Sequence, residues 1–252
     1  NRQRTDIRSN SHKKSSKKTN KRKNTKKTTP MRLVFVGGLD GIGKNMTAIE
    51  YGDDMMLIDA GLMFPDDEHL GVDLILPDYK YVIENQHNLR GIIITHGHED
   101  HTGAIPYLLK DLDNRVPIFA AKLTLALIEG KLKEHNAKNP DLRSVRGGEH
   151  LKIGAFKIDF FNVNHSIPDA LGLRVKTDGG SILYTGDFKL DLTPVDGVYT
   201  DFQAINRFAS EGIDVLLSDS TNAGKPGTVP SERDVGASLN DIIQNATGRV
   251  FV

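Results

Sequence analysis

Three histidines and an aspartate fall within six residues, His96-Gly97-His98-Glu99-Asp100-His101, spaced H-x-H-x-D-H. Neutral imidazoles suit Zn²⁺ and similar ions, and a carboxylate adds an anionic oxygen ligand, so these residue types point to metal chemistry. In an extended segment His96 and His98, two apart, project the same way and can meet one ion. Asp100 and His101 come after the chain turns and can face a second ion beside the first. Chance clustering would produce such a match on the order of once per thousand chains of this composition.

The elements that must hold these groups are legible in the apolar pattern. The cluster ends the run Gly91-Ile92-Ile93-Ile94, which reads as a buried strand. Strands are expected at 32–36, 46–50, 55–59, 91–95, 156–162, 172–176, 181–185 and 215–218, and helices at 103–112, 122–135, 202–209 and 232–244. His165 follows the 156–162 strand and Asp187 follows the 181–185 strand, so both sit at strand ends, as His96 does. Asp59 ends the 55–59 strand, where an anion can orient a ligand imidazole or bond turn amides. Two strand-rich halves, each with helices, suit an α/β sandwich of two mixed sheets with helices outside.

Net charge is zero, but it is unevenly spread. Residues 1–30 hold 12 Lys and Arg against one acid, Asp6, a net +11, and the remainder holds 21 bases and 32 acids, a net −11. The 1–30 segment has almost no apolar residue and is expected to be a disordered basic tail, suited to attracting nucleic acid. The rest, roughly 220 residues, is enough for one α/β domain. The absence of cysteine excludes thiolate ligands and a disulfide framework. No apolar run approaches the roughly 20 residues of a membrane span, and the N-terminus lacks a secretory apolar region, so a cytoplasmic protein without a membrane is expected. The first residue is Asn rather than Met, so the native start is expected to be missing.

Gly38-Leu39-Asp40-Gly41-Ile42-Gly43-Lys44-Asn45 matches a phosphate-loop pattern only partly. Asn45 stands where Ser or Thr would bind Mg²⁺, and a strand rather than a helix follows, so the segment reads as a hairpin beside the site and not as a nucleotide cradle. His12, His69, His87, His135 and His150 have no partners at telling spacings and read as surface residues. Asp66-Asp67-Glu68 reads as a solvated acidic loop.

In order along the chain, these segments resemble the metallo-β-lactamase superfamily, and within it the ribonuclease J family. The resemblance rests on Gly37-Gly38-Leu39 with Ile42-Gly43-Lys44-Asn45-Met46, on Asp59-Ala60-Gly61-Leu62-Met63-Phe64-Pro65, and on Thr95 through His101. It continues in His165-Ser166-Ile167-Pro168-Asp169, Tyr184-Thr185-Gly186-Asp187-Phe188-Lys189 and Ser218-Asp219-Ser220-Thr221-Asn222. Asp40-Gly41 departs from the family's usual Gly-Glu, outside the ligand motifs.

The resemblance implies an αββα sandwich over 31–220, with 221–252 opening an inserted β-CASP domain, so that the chain is truncated before or within that insertion. It implies His96, His98 and His165 as ligands of one ion, Asp100 and His101 as ligands of a second, and Asp187 bridging, with Asp59, Asp100 and Asp187 taking part in catalysis. The ions would be Zn²⁺ by preference, with Mn²⁺ or Mg²⁺ as alternatives. A structural Ca²⁺ on the carbonyls of Leu70 and Val72, and Asp219 as the acid of the first β-CASP motif, are further implications. The activity implied is a 5′→3′ exonuclease and endonuclease in RNA processing and decay. RNA is the implied partner, with a dimer or tetramer of the same chain and an RNA helicase or ribosome as associates. The competing readings are another hydrolase of the superfamily, such as a glyoxalase-II-like thioesterase or a lactonase, and a non-catalytic RNA-binding subunit. The first would lack the Gly-Asp-Phe-Lys and Ser-Asp-Ser-Thr segments, and the second would have lost metal ligands.

Overall fold

In the computed structural model, residues 29–137 and 140–251 are described. The expected basic tail, up to position 28, and His12 lie outside them. In chain order the strands are β1 (Arg32–Gly37), β2 (Met46–Tyr51), β3 (Asp54–Ile58), β4 (Leu89–Ile93), β5 (Pro117–Ala120), β6 (Asp141–Ser144), β7 (His150–Ile153), β8 (Phe156–Asn162), β9 (Leu171–Thr177), β10 (Gly180–Tyr184) and β11 (Val215–Leu217). The helices are α1 (Lys80–Glu84), α2 (Glu99–Thr102), α3 (Ile105–Asp111), α4 (Lys122–Glu134), α5 (Phe202–Glu211) and α6 (Glu232–Asn245).

Two mixed sheets form, one in the order β1-β2-β3-β4-β5-β6 and the other β11-β10-β9-β8-β7. Strands β3 to β6 run parallel, β1 to β3 antiparallel, and β10 pairs parallel with β11 while β7 to β10 alternate in direction.

Side chains alternate across a strand, and this divides the core into layers. On β3, Met55 and Leu57 join α1, α3 and α4 through Val82, Ile105, Leu108, Ile128 and Leu132. Met56 and Ile58, one residue out of phase, join Phe156, Ile158 and Phe160 of β8 between the two sheets. Phe161 points the other way, to Ala204 and Phe208 of α5. Each such fully buried Leu, Ile or Phe contributes about 1.5–3 kcal/mol relative to exposure. The result is helix, sheet, sheet, helix, the sandwich expected from the sequence. Helix α5 is closed at its start by Asp201, whose side chain accepts from Ala204 N at 2.9 Å.

Strands β5, β6 and β7 and the short α1 and α2 are additions to the sequence reading. His150 is a surface residue, as expected, but it has a partner: its ring lies against Asp159 across the β7–β8 pair. Asp159 in turn accepts from Arg174 Nε at 2.7 Å, and the Arg174 guanidinium stacks over Phe208 at 4.4 Å.

Candidate metal centre

Parallel strands bring their C-terminal ends to one edge, and the chemistry gathers there. Asp59 follows β3 and His96 follows β4. His165, Asp187 and Asp219 follow β8, β10 and β11, which share a direction in the second sheet. His98 is still extended, with φ −69° and ψ 154°, and its carbonyl accepts from His101 N at 3.0 Å and Thr102 N at 2.9 Å. That turn starts α2, which carries Asp100 and His101 beside His96.

His98 Nδ1 lies 3.0 Å from His96 Nε2 and 3.1 Å from His165 Nε2. A tetrahedral zinc with bonds of about 2.0–2.1 Å puts neighbouring ligand nitrogens about 3.3 Å apart, so this spacing fits a shared cation. The tautomers agree. His96 Nδ1 is 3.0 Å from Thr95 Oγ1, whose hydroxyl is 3.0 Å from both Asp59 oxygens; with the hydroxyl donating to Asp59 and accepting from Nδ1–H, the lone pair of Nε2 is free for the site. Burial, together with the neighbouring His101, His165 and His98, holds the His96 imidazole far below its usual range, in the neutral form a metal requires.

A second group of side-chain donors, His96, His101 and Asp187, shares His96 with the first, and Asp100, expected among the ligands of the second ion, joins neither group. His101 Nε2 stands 3.4 Å from Asp187 Oδ1 and 3.5 Å from Asp100 Oδ2. Asp187 Oδ2 reaches toward His165 Nε2 at 3.7 Å, so its two oxygens face the two donor groups. Burial opposes a charge on His101, but Asp59 and Asp187 outweigh it and raise the imidazole to about 10. Burial likewise opposes ionisation of Asp187, but its bond to His101 holds the carboxyl below the usual range. His165 shifts down through burial, against the pull of Asp187. The two donor groups, His96 with His98 and His165 and His96 with His101 and Asp187, fit divalent metal ions.

Asp59 is fully buried and holds a left-handed φ of 61°, which Asp tolerates better than most residues. Its carboxylate accepts from Thr95 N at 2.8 Å and lies 2.8 Å from His101 Nδ1, so it meets both meanings considered for it, turn carboxylate and imidazole anchor. Asp219 stands on the wall of a cleft of about 400 Å³ that also takes in Asp100, Asp187, Tyr184 and the 37–45 loop. Its Oδ1 accepts from Thr221 N at 2.8 Å. Leu70 and Val72 lie on an exposed loop where no group of three side-chain donors forms among the described residues. Asp66 in that loop is occupied by His69 and Glu68 N.

Three groups at the centre escaped the sequence reading. Thr95 links Asp59 to His96. Asn45 touches Asp100 and His101. Burial pushes the Tyr184 phenol well above its usual range, and Asp59 and Asp187 push it further. All three stand within the motifs that carry the resemblance, but no role at the centre was expected of them.

A β-lactamase superfamily domain model matches residues 56–225. Ribonuclease J of Corynebacterium glutamicum is 47% identical over 222 residues, which is 88% of this chain and 31% of that protein. Ribonuclease J of Mycobacterium tuberculosis is 45% identical over 222 residues, 88% of this chain and 39% of that protein. The chain therefore spans about a third of the length of the curated relatives it matches. The crystal structure of the metallo-β-lactamase fold protein YhfI from Bacillus subtilis superimposes with a TM-score of 0.51 at 20% identity, covering 75% of this chain and 70% of that one. The resemblance to ribonuclease J carried by the motifs is thus borne out along most of the sequence, and with two mixed sheets, flanking helices and the superfamily's domain match, the chain belongs to the β-lactamase superfamily and has the metallo-β-lactamase fold.

Proposed function

We propose that this chain carries the metal centre of a ribonuclease of the ribonuclease J type, acting on RNA both as a 5′→3′ exonuclease and as an endonuclease. The observation that carries this is the placing of Asp187, with one oxygen toward His101 and the other toward His165, in a chain 45–47% identical to two ribonucleases J. In this reading His96, His98 and His165 hold one ion, Asp100 and His101 hold the other, and Asp187 bridges. Zn²⁺ suits the nitrogen-rich set, with Mn²⁺ or Mg²⁺ as alternatives. Bound there, two divalent ions supply an acidified water and positive charge for the attacking and leaving oxygens of a phosphodiester. The protein's own share is orientation. Asp59 and Thr95 fix the imidazole faces, and the cleft between the 37–45 loop and Ser218–Thr221 leads to the donors.

Residues 31–220 are the metallo-β-lactamase domain in this reading, and 221–252 open the β-CASP domain. Every residue of α6 is exposed, which suits a helix whose partners belong to another domain. The full-length protein is expected to shorten 5′-monophosphorylated RNA from its 5′ end, to leave 5′-phosphate products, and to stop when a chelator is added. Analysis of products from end-labelled RNA checks this. Cleavage of a thioester or lactone with no cleavage of RNA would favour the other hydrolases of the superfamily instead.

The basic tail adds a separate expectation. Its net +11 stands against −11 on the remainder, so the body alone offers little long-range attraction to RNA. Deleting residues 1–30 should weaken binding equally for unrelated RNAs and flatten the salt dependence, by a slope of about 0.7 per lost phosphate contact on single strands. Single-turnover cleavage at saturating protein should be unchanged. Affinities of both forms at several salt concentrations decide it, and equal slopes would make the tail a passive extension.

A further inference from the structure

The loop that resembles a phosphate cradle has another use. It joins β1 to β2, and its last residue, Asn45, lies against the N-terminal turn of α2. Asn45 N donates to Asp100 O at 3.1 Å, and Gly61 N donates to Asn45 O at 2.9 Å. The side chain repeats the contact. Asn45 Nδ2 is 3.1 Å from Asp100 O, 3.3 Å from Asp100 Oδ2 and 3.1 Å from His101 Nε2. One amide group thus donates to Asp100 beside the His101 imidazole, while the described contacts show none between Asn45 and His96, His98 or His165.

The glycines around it exist to allow this approach. A Cβ on Gly61 would lie 1.5 Å from Asp100 O, and one on Gly38, whose φ is 82°, would lie 2.6 Å from Asn45 Oδ1. The loop, the turn after β3 and the start of α2 therefore meet backbone to backbone. Lys44 N donates to Leu62 O at 3.0 Å and Leu62 N to Glu99 O at 3.1 Å, which ties the same three segments together. An amide NH₂ has two hydrogens to give and no charge. It can restrain Asp100 without competing for a cation, which a lysine or a carboxylate at this place could not do.

We infer that Asn45 is a positioning residue for the second ion, holding Asp100 beside His101 in the geometry that receives it and leaving the first site untouched. This rests on the two-ion reading given above. Partners that orient ligands in this way typically set metal affinity by about 10- to 100-fold.

The test is titration of metal-free, full-length protein with Zn²⁺, following heat and bound stoichiometry. Wild type is expected to take two ions. Asn45→Ala is expected to keep the affinity of the first and to bind the second about 10- to 100-fold more weakly. Asn45→Leu, which keeps the size and removes the donors, should behave the same way and so separates hydrogen bonding from packing. RNA cleavage by Asn45→Ala should recover as Zn²⁺ is raised to refill the second site. Both affinities falling together, or the second unchanged in Asn45→Leu, would overturn the inference. Fewer than two ions bound by wild type would overturn the two-ion reading and the inference with it.

Discussion

Asp187→Ala is expected to abolish RNA cleavage while leaving RNA affinity nearly unchanged. The carboxylate stands between the two donor groups, Oδ1 at 3.4 Å from His101 Nε2 and Oδ2 at 3.7 Å from His165 Nε2. No other described carboxylate reaches both histidines. Residues that merely orient ligands cost about 10- to 100-fold when removed, and a residue that joins two sites should exceed the top of that range. Asp187 also carries negative charge into the cleft, so its removal takes away repulsion for a phosphodiester rather than a binding contact. Asp187→Asn keeps the shape and one oxygen acceptor and should fall between wild type and alanine. The measurement is single-turnover cleavage of 5′-monophosphorylated RNA beside a binding isotherm, after stray metal is removed. Turnover equal to wild type would end the two-ion reading, and loss of RNA affinity matching the loss of rate would move Asp187 from the reaction to the channel.

What the sequence discloses about this centre follows from distance along the chain. His96, His98, Asp100 and His101 are legible because one strand end and one helical turn carry them all, so residue spacing is nearly spatial geometry. His165 and Asp187 are legible only as strand-end residues in the right order. Asn45 and Thr95 are different. Asn45 meets Asp100 across 55 positions and Thr95 meets Asp59 across 36, and nothing in local spacing encodes such contacts. His150 seemed partnerless because Asp159 comes nine positions later, on the neighbouring strand. The missed strands have a common cause as well. Pro117–Ala120, Asp141–Ser144 and His150–Ile153 are four residues each, at the lower limit at which a run or an alternation can be told from its surroundings. The long strands, such as Phe156–Asn162, carry alternating core residues on one face and so announce themselves.

Asp59→Ala is expected to destabilise the metal-free protein by about 3–5 kcal/mol, because it leaves a buried imidazolium without its partner. Asp59 and His101 are both almost wholly shielded from solvent, and His101 Nδ1 lies 2.8 Å from Asp59 Oδ2. The effect should depend on pH in a direction the structure sets. His101 is raised from 6.5 to about 10 in the folded state, so its charge stabilises the fold fully below 6.5 and that contribution is lost as pH rises through about 10. Without Asp59, burial is opposed by Asp187 alone, and the charged form loses much of its support. The stability gap between wild type and Asp59→Ala should therefore be widest at about pH 6.5 and below and narrow toward pH 10. Asp59→Asn separates charge from shape. It keeps a residue that tolerates the left-handed φ of 61° and an oxygen for Thr95 N, so it should recover the turn but not the pH dependence. Urea unfolding of metal-free wild type, Asp59→Ala and Asp59→Asn across this pH range measures all three. A gap that is constant with pH would mean that Asp59 acts through the turn and its bonds to Thr95, and that the His101 charge has no part in holding the centre together before metal arrives.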